Sequence, residues 1–209
     1  GVGAYREEFE ALQPGWDVQR GEVLEECIQA LQLLFSQRTA DWHGKYYAFK
    51  DVDMYPKPAQ IPLPFYLGGN NANSIRRAAL YGQGWMGAGM PPAQLRSFVG
   101  RLREIAAENG RDPDGIDIAP QYAACMDRSQ EAALRRFRNS QMYKHLVSLK
   151  ATTLKEQAAS GAKYEDINLI GDSQTIIERI GKLRDAGATH ISGILFTANT
   201  VEEFKDQMQ

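Results

Sequence analysis

The sequence predicts an α/β fold built on a parallel sheet, and three observations support this class. Short apolar runs alternate with amphipathic segments about four times from residue 65 onward. Glycine or Asn-Gly follows the amphipathic segments, as expected at helix ends. The composition, 43% hydrophobic and 24% charged, is that of a globular domain. Four strand-helix units make half of an eight-stranded barrel or a small doubly wound sheet, and the alternation leaves both open.

The first part of the chain precedes this alternation. Residues 22–37 carry apolar side chains at helical spacing, which predicts an amphipathic helix. Aromatic residues alternate around Gly44 and predict a small hairpin over residues 42–49. Prolines at positions 56, 58, 62 and 64 then favour an extended crossing segment.

The remaining elements follow in order. The predicted strands cover residues 65–67, 85–88, 116–126 and 190–196. The predicted helices cover residues 72–81, 92–108 and 129–149, with another that begins at Asp172 or Ser173 and stops at Gly187. Residues 151–166 have weak periodicity and are interpreted as a long mobile segment, and a final helical piece follows the last strand.

Charge and hydropathy exclude several classes of protein. The net charge of −2 provides no basic field for nucleic acid. No apolar run approaches the roughly 20 residues that span a bilayer, and the first residues do not resemble a signal peptide. Cys27 and Cys125 lie in apolar patterns, so we expect free thiols and a cytoplasmic protein. The chain opens at Gly1 without methionine, which we interpret as a start within a longer sequence.

The stretch Gly68-Gly69-Asn70-Asn71 separates a predicted strand from a predicted helix. Glycines let the backbone approach an anion, and Asn71 and Ser74 offer side-chain donors at a helix N-terminus, which is a reasonable phosphate site. Arg76 and Arg77 follow one turn later. The plainer interpretation is a tight turn with an asparagine helix cap, and the pattern alone does not decide between the two.

Four segments together resemble the bacterial luciferase-like monooxygenase family. They read GVGAYREEFEAL, WHGKYYAF, MYPKPAQIPLPFYLGGNNANSIRRAALYGQGW and GDSQTIIERIGKLRDAGATHISG. The resemblance implies a TIM-barrel (β/α)8 fold, with residues 1–209 as a single luciferase-like domain that supplies about the second half of the barrel. The family contains FMN-dependent monooxygenases and deazaflavin-dependent oxidoreductases.

The resemblance also implies a cofactor site. The flavin phosphate is expected on the loop formed by Gly68, Gly69, Asn70 and Asn71, with Ser74 at the helix start. Gly3 and Tyr5 match a loop that borders the flavin in the family. Residues 149–170 match a variable insertion that often acts as a lid. The strands that precede this region in relatives often carry the catalytic groups, so the catalytic residues stay unknown. We expect a homodimer, or association with the missing N-terminal half.

The resemblance has one local departure and leaves rival functions open. Gln83 stands where the family often has aspartate. The leading hypothesis is a flavin-dependent monooxygenase that uses reduced FMN and dioxygen on a small organic substrate. The alternatives are a deazaflavin-dependent hydride-transfer enzyme, a non-catalytic truncated flavoprotein or assembly module, and another barrel enzyme that binds a phosphorylated substrate.

Two further residues are candidates for a substrate pocket. His145 lies on a predicted helix beside the presumed lid, although a solvent-exposed position is the plainer interpretation. Tyr122 lies on the third predicted strand, where core packing is the plainer interpretation. None of the three histidines has a metal-type partner three or four residues away, so no metal site is expected.

Overall fold

The computed structural model describes residues 1–3, 6–12, 18–149 and 161–208. Its strands are β1 (Ala40–His43), β2 (Ala48–Val52), β3 (Tyr66–Gly68), β4 (Gly84–Met86), β5 (Asp117–Ile118), β6 (Gln121–Met126), β7 (Leu169–Gly171) and β8 (Gly193–Phe196). Its helices are α1 (Arg6–Leu12), α2 (Arg20–Ser36), α3 (Ala72–Tyr81), α4 (Pro92–Glu108), α5 (Gln130–Arg138), α6 (Gln141–Ser148), α7 (Tyr164–Ile167), α8 (Ser173–Asp185) and α9 (Val201–Gln207).

Parallel strands form the centre of the molecule, which confirms the predicted α/β class. Strand β4 lies between β3 and β5, and β6 lies between β7 and β8, with every one of these pairs parallel. A bridge between Ala88 and Gln121 joins the two sets of strands. The predicted strand 116–126 is divided into β5 and β6 at Ala119-Pro120, because proline has no N–H for a ladder.

One face of this sheet carries the main hydrophobic core. Leu67, Trp85 and Ile118 point toward the helix layer and pack with buried side chains of α3 and α4. The Trp85 ring meets Phe98 of α4 edge to face at 5.9 Å between ring centroids. Both helices have the bounds that their caps predict, from residue 72 to 81 and from 92 to 108.

The opposite face of the same strands is polar at the amino end of the sheet. Side chains alternate along a strand, so Tyr66 and Asp117 point away from the core. The Tyr66 hydroxyl donates a hydrogen bond to the Asp117 carboxylate across Gly84, whose missing side chain leaves the path open. Gln83, the departure noted above, accepts a hydrogen bond at 2.9 Å from the backbone N–H of Phe65.

The side chain of Arg111 caps the C-terminal end of helix α3. Arg111 donates to the carbonyl oxygens of Ala79 and Gly82 at 2.6 Å each, and more weakly to that of Ala78 at 3.4 Å. These carbonyls lie in and just after the last turn, where helical partners run out. Arg111 thus fixes one end of α3, and the candidate loop lies at its other end.

The predicted hairpin is confirmed as the antiparallel pair β1–β2, and one carboxylate attaches it to α2. Glu26 accepts hydrogen bonds from the backbone N–H groups of Lys45, Tyr46 and Tyr47 and from the Trp42 indole. Partial burial raises the pKa of Glu26, but these donors outweigh it and hold the pKa below its ordinary value.

Two segments differ from expectation. The predicted helix 129–149 is two helices, because Ser140, which is 1% exposed, caps a new helix by accepting from the N–H of Tyr143. Of the expected mobile insertion at about residues 149–170, residues 150–160 lie outside the described residues. Its last part is core: α7 and β7 are short and buried, with Ile170 fully enclosed. Three- and four-residue elements are too short to give a periodic pattern.

A second core cluster lies on the other side of β6. It contains Ala123, Cys125, Ala133, Phe137, Tyr164 and Ile170. Cys125 is fully buried and Cys27 is half-buried, and both are free thiols as predicted. Within the described ranges, every helix is too short or too polar to span a bilayer.

Candidate functional site

The loop that contains Gly68, Gly69, Asn70 and Asn71 lies at the carboxyl end of β3 and leads directly into α3. The loop after β4 lies beside it, since β3 and β4 run in parallel. In parallel α/β folds this edge of the sheet is where ligands bind. All five residues that the sequence predicted for the phosphate therefore fall at one place on the appropriate edge.

Gly69 has a backbone conformation that favours glycine. Its φ of +118° lies in the region that side chains rarely adopt. A Cβ atom at this position would also overlap the hydroxyl and Cβ of Ser74. The loop therefore passes very close to the first turn of α3, which only a glycine permits.

Asn71 is the N-cap of α3, so the plainer interpretation of this residue is confirmed. Its Oδ1 accepts hydrogen bonds from the Ser74 backbone N–H at 3.0 Å and from the Ser74 hydroxyl at 3.1 Å. Ser74 is only 6% exposed. The two side chains thus bind each other and shape the start of the helix.

Asn70 also uses its side chain within the protein. Its Nδ2 donates to the carbonyl of Ala88 at 2.9 Å, and its Oδ1 accepts from the N–H of Ala88 at 2.8 Å. The carbonyl of Gly69 accepts a hydrogen bond from the Trp85 indole at 2.8 Å. Two hydrogen-bonded contacts therefore hold the loop: one to Trp85 of β4 and one to Ala88 in the loop after β4.

The donors that remain at this loop are backbone N–H groups. Across the described ranges, no acceptor meets the N–H groups of residues 70–73. Asn71, Ala72 and Asn73 are exposed to solvent. The N-terminus of α3 adds the partial positive charge of a helix dipole. This arrangement can bind an anionic oxygen group through several neutral donors, as phosphates are bound at other helix N-termini.

The two arginines that follow do not add charge to the loop. Arg76 and Arg77 both pair with the carboxylate of Glu25 on α2, at 2.7 Å and 2.9 Å. Arg77 and Glu25 are largely buried in this contact, with 14% and 16% of their side chains exposed. The arginines therefore join α3 to α2.

The other predicted site residues lie away from this loop or outside the described residues. Tyr122 is 1% exposed in the main core, where its hydroxyl donates to the Met90 carbonyl at 3.2 Å and burial raises its pKa. The structure thus assigns Tyr122 to packing instead of a substrate pocket. His145 is exposed on α6. Gly3 has a φ of +77°, and its carbonyl accepts from Arg20. Tyr5 lies outside the described residues.

A separate cavity of about 580 Å³ lies beyond the carboxyl ends of β6 and β7. Arg136 lines it and pairs with Asp127 at 3.3 Å and with Asp206 at 2.8 Å. The guanidinium of Arg136 is therefore paired with protein carboxylates, and Arg128 also lines the cavity. Within the described parts of the chain no cluster of three or more His, Cys, Asp or Glu side chains is arranged to hold a metal ion.

Sequence reasoning missed the two residues that support the loop, Trp85 and Ala88. Trp85 belongs to the quoted resemblance, but nothing in the pattern indicates that its indole would bind the Gly69 carbonyl. Ala88 contributes only its backbone, so no side-chain type could have identified it. Both contacts depend on the parallel register of β3 and β4.

The luciferase-like monooxygenase family matches residues 1–190 of the chain. Among curated relatives, the FMNH(2)-dependent dimethylsulfone monooxygenase of Pseudomonas putida is 27% identical over 226 aligned positions, which cover 97% of this chain and 61% of the relative. The F420-dependent glucose-6-phosphate dehydrogenase of Segniliparus rotundus is 27% identical over 180 positions, which cover 80% of this chain and 53% of the relative. The chain thus spans little more than half the length of these two proteins.

A solved structure gives the corresponding likeness in fold. The monooxygenase RslO1 from Streptomyces bottropensis superposes with a TM-score of 0.76 at 22% sequence identity, covering 99% of this chain and 63% of that one. At this level of identity the likeness concerns the fold.

Proposed function

Because this chain belongs to the luciferase-like monooxygenase family, we propose that it provides the cofactor-phosphate site of a flavin-dependent monooxygenase. The substrate class is a small organic molecule. The observation that carries the proposal is the run of backbone N–H groups at residues 70–73 that have no acceptor among the described residues. Bound reduced FMN supplies the electrons with which dioxygen is activated.

The residues present fit a phosphate ester. Gly69, with a φ of +118°, turns the backbone toward α3 and brings the loop close to Ser74. Several N–H donors converge with the dipole of a ten-residue helix, whose effect on one anionic charge is about 0.3–1 kcal/mol at an exposed site. Asn71 and Ser74 keep the first turn in shape, so that the donors need no rearrangement when the phosphate binds.

The test compares two glycine substitutions in a titration with FMN followed by flavin fluorescence. Gly69→Ala places a Cβ atom on the Ser74 hydroxyl and forces an unfavourable φ, so we expect it to weaken FMN binding at least tenfold. Gly100→Ala is the matched control, because a Cβ atom there meets nothing within 4 Å. Equal affinity in both variants would contradict the proposed phosphate site.

A deazaflavin-dependent hydride-transfer enzyme is the second candidate, favoured by the name of the Segniliparus relative. Neutral N–H donors suit the phosphate of either cofactor. Arg76 and Arg77 are paired with Glu25, so neither side chain is left for a second acidic group at this loop. This supports FMN, because a deazaflavin carries a longer acidic tail that favours basic residues around the site. Parallel titrations with FMN and with the deazaflavin coenzyme separate the two. Tighter binding of the deazaflavin would reverse the preference.

We propose that the parallel strands form the second half of a TIM barrel. Among the parallel strands of the described chain, β3, β5, β7 and β8 each pair with one neighbouring strand only. Ile194 and Leu195 of β8 are 46% and 45% exposed, which supports a partner on this edge, either preceding strands or a second copy in a homodimer. Light scattering on the purified chain measures which assembly forms. The free thiols agree with a cytoplasmic location.

We retain Gly3 as a candidate for the flavin border and His145 for contact with substrate. The exposed position of His145 on α6 leaves its ring accessible. A His145→Ala variant that turns over substrate like the parent chain would remove this residue from the site.

A further inference from the structure

We infer that Asn70 is a positioning residue, which fixes the phosphate loop through Ala88 and does not itself bind the phosphate. This inference rests on the proposed function, because it concerns how the same loop is held ready for an anion. It also changes the role that the sequence suggested for Asn70, since the resemblance counted this residue among the cofactor contacts.

The first support is that both polar atoms of the Asn70 side chain are already engaged. They make two hydrogen bonds, of 2.9 Å and 2.8 Å, with the backbone of one residue, Ala88. A paired arrangement of this kind fixes both the distance and the orientation of the two loops. Binding a phosphate through the Asn70 amide would break at least one of these bonds.

The connection continues beyond Ala88 to a third strand. Ala88 forms a parallel bridge with Gln121, and the Gln121 N–H donates to the Gly87 carbonyl at 2.8 Å. Asn70 therefore ties the start of α3 to the loop after β4, and that loop is itself fixed to the first residue of β6. The phosphate loop is held in place relative to three strands of the sheet.

The second support is the direction of the peptide between Gly69 and Asn70. The Gly69 carbonyl points at the Trp85 indole, which is fully buried. In a planar trans peptide the C=O of one residue and the N–H of the next point in opposite directions. The Asn70 N–H therefore points away from the core. Trp85 and the Asn70 side chain hold this peptide from two sides, so its N–H is one of the donors available to an anion.

The test measures selectivity for the phosphate, because a general loss of stability would not change it. We expect the parent chain to bind FMN more tightly than riboflavin, which lacks the phosphate. Asn70→Ala should raise the FMN dissociation constant about tenfold, near the loss expected for one hydrogen bond, and leave that of riboflavin within about twofold. Asn109→Ala is the matched control, since its amide also bonds a backbone carbonyl, that of Ile105 at the end of α4. It should change neither constant.

A second measurement needs no variant and separates positioning from direct contact. In nuclear magnetic resonance spectra of the parent chain, FMN should shift the backbone amides of residues 70–73. The side-chain NH2 signal of Asn70 should keep its position and its slow hydrogen exchange, because its bond to Ala88 persists. A large shift of that NH2 signal would make Asn70 a direct ligand and overturn the inference.

The outcomes also separate this inference from the proposed function. If the parent chain prefers FMN over riboflavin and Asn70→Ala keeps that preference, the phosphate site stands and the positioning role of Asn70 is refuted. If the parent chain binds both equally, the phosphate site itself is wrong and the inference fails with it. Should Asn70→Ala fold poorly, the nuclear magnetic resonance measurement on the parent chain decides between positioning and direct contact without any variant.

Discussion

Replacing Arg111 by methionine should destabilise the chain by about 2–4 kcal/mol. Two of its hydrogen bonds, to Ala79 and Gly82, are 2.6 Å long, and a bond from a charged donor contributes about 1.5–3 kcal/mol. The third, to Ala78 at 3.4 Å, adds little. The expected loss of stability is smaller than the sum of the hydrogen-bond contributions, because burying the charged guanidinium costs free energy. The same burial lowers the pKa of Arg111. Methionine keeps the aliphatic stem, so the loss reports the hydrogen bonds.

Urea unfolding followed by circular dichroism measures this loss. A decrease of 3 kcal/mol lowers the midpoint by about 1–3 M at ordinary slopes. Arg111→Lys should recover about half of the loss, because a single ammonium cannot span both carbonyls. The control is Arg103→Met, whose partner Asp114 is 81% exposed, and it should change stability by less than about 1 kcal/mol.

One result would refute this reasoning. If Arg111→Met and Arg103→Met have the same midpoint and slope, the contacts at the end of α3 contribute no more than an exposed ion pair. Arg111 would then not be the residue that fixes the C-terminal end of α3.

Three further predictions test other parts of the fold. Phe137→Ala should cost about 3–5 kcal/mol in urea unfolding, because the ring is fully buried in the second core cluster. A thiol reagent should modify Cys27 in the folded chain long before Cys125, since burial encloses Cys125 and raises its pKa, and mass spectrometry of the labelled peptides would record the order. The pKa of Glu26 is held below its ordinary value, so the stabilisation by its carboxylate is complete above about pH 4.3 and is lost as pH falls through the lower folded-state value. On going from neutral to acidic pH, the thermal unfolding midpoint of Glu26→Gln should therefore decrease less than that of the parent chain. An equal decrease in both proteins would contradict this prediction.

The parts of the fold that local chemistry specifies were predicted well. Helices α3 and α4 have the predicted bounds, because Asn71 and the Pro91-Pro92 pair mark their starts and Gly82 and Asn109 their ends. The parallel arrangement followed from the alternation of strands and helices. These features depend on residues within a few positions of one another.

The parts that depend on long-range contacts were not predicted. Strand β7 has three residues and exists because it pairs with β6, about 45 positions away. The Asn70–Ala88 contact depends on the register of β3 and β4. The sequence predicted that the candidate loop joins a strand to a helix, but it could not distinguish side chains that would face a ligand from side chains that hold the loop.

The division of one long strand into β5 and β6 has a consequence for synthesis on the ribosome. Strand β5 can pair with β4 as soon as it emerges, but β6 finds its neighbours only in β7 and β8, the latter roughly 70 residues later. At usual translation rates that delay is on the order of 4–14 s. Strand β7 emerges first, about 45 residues after β6, and until then the apolar segment Tyr-Ala-Ala-Cys-Met pairs with neither β7 nor β8, so nascent chains of this protein should need a chaperone at that stage.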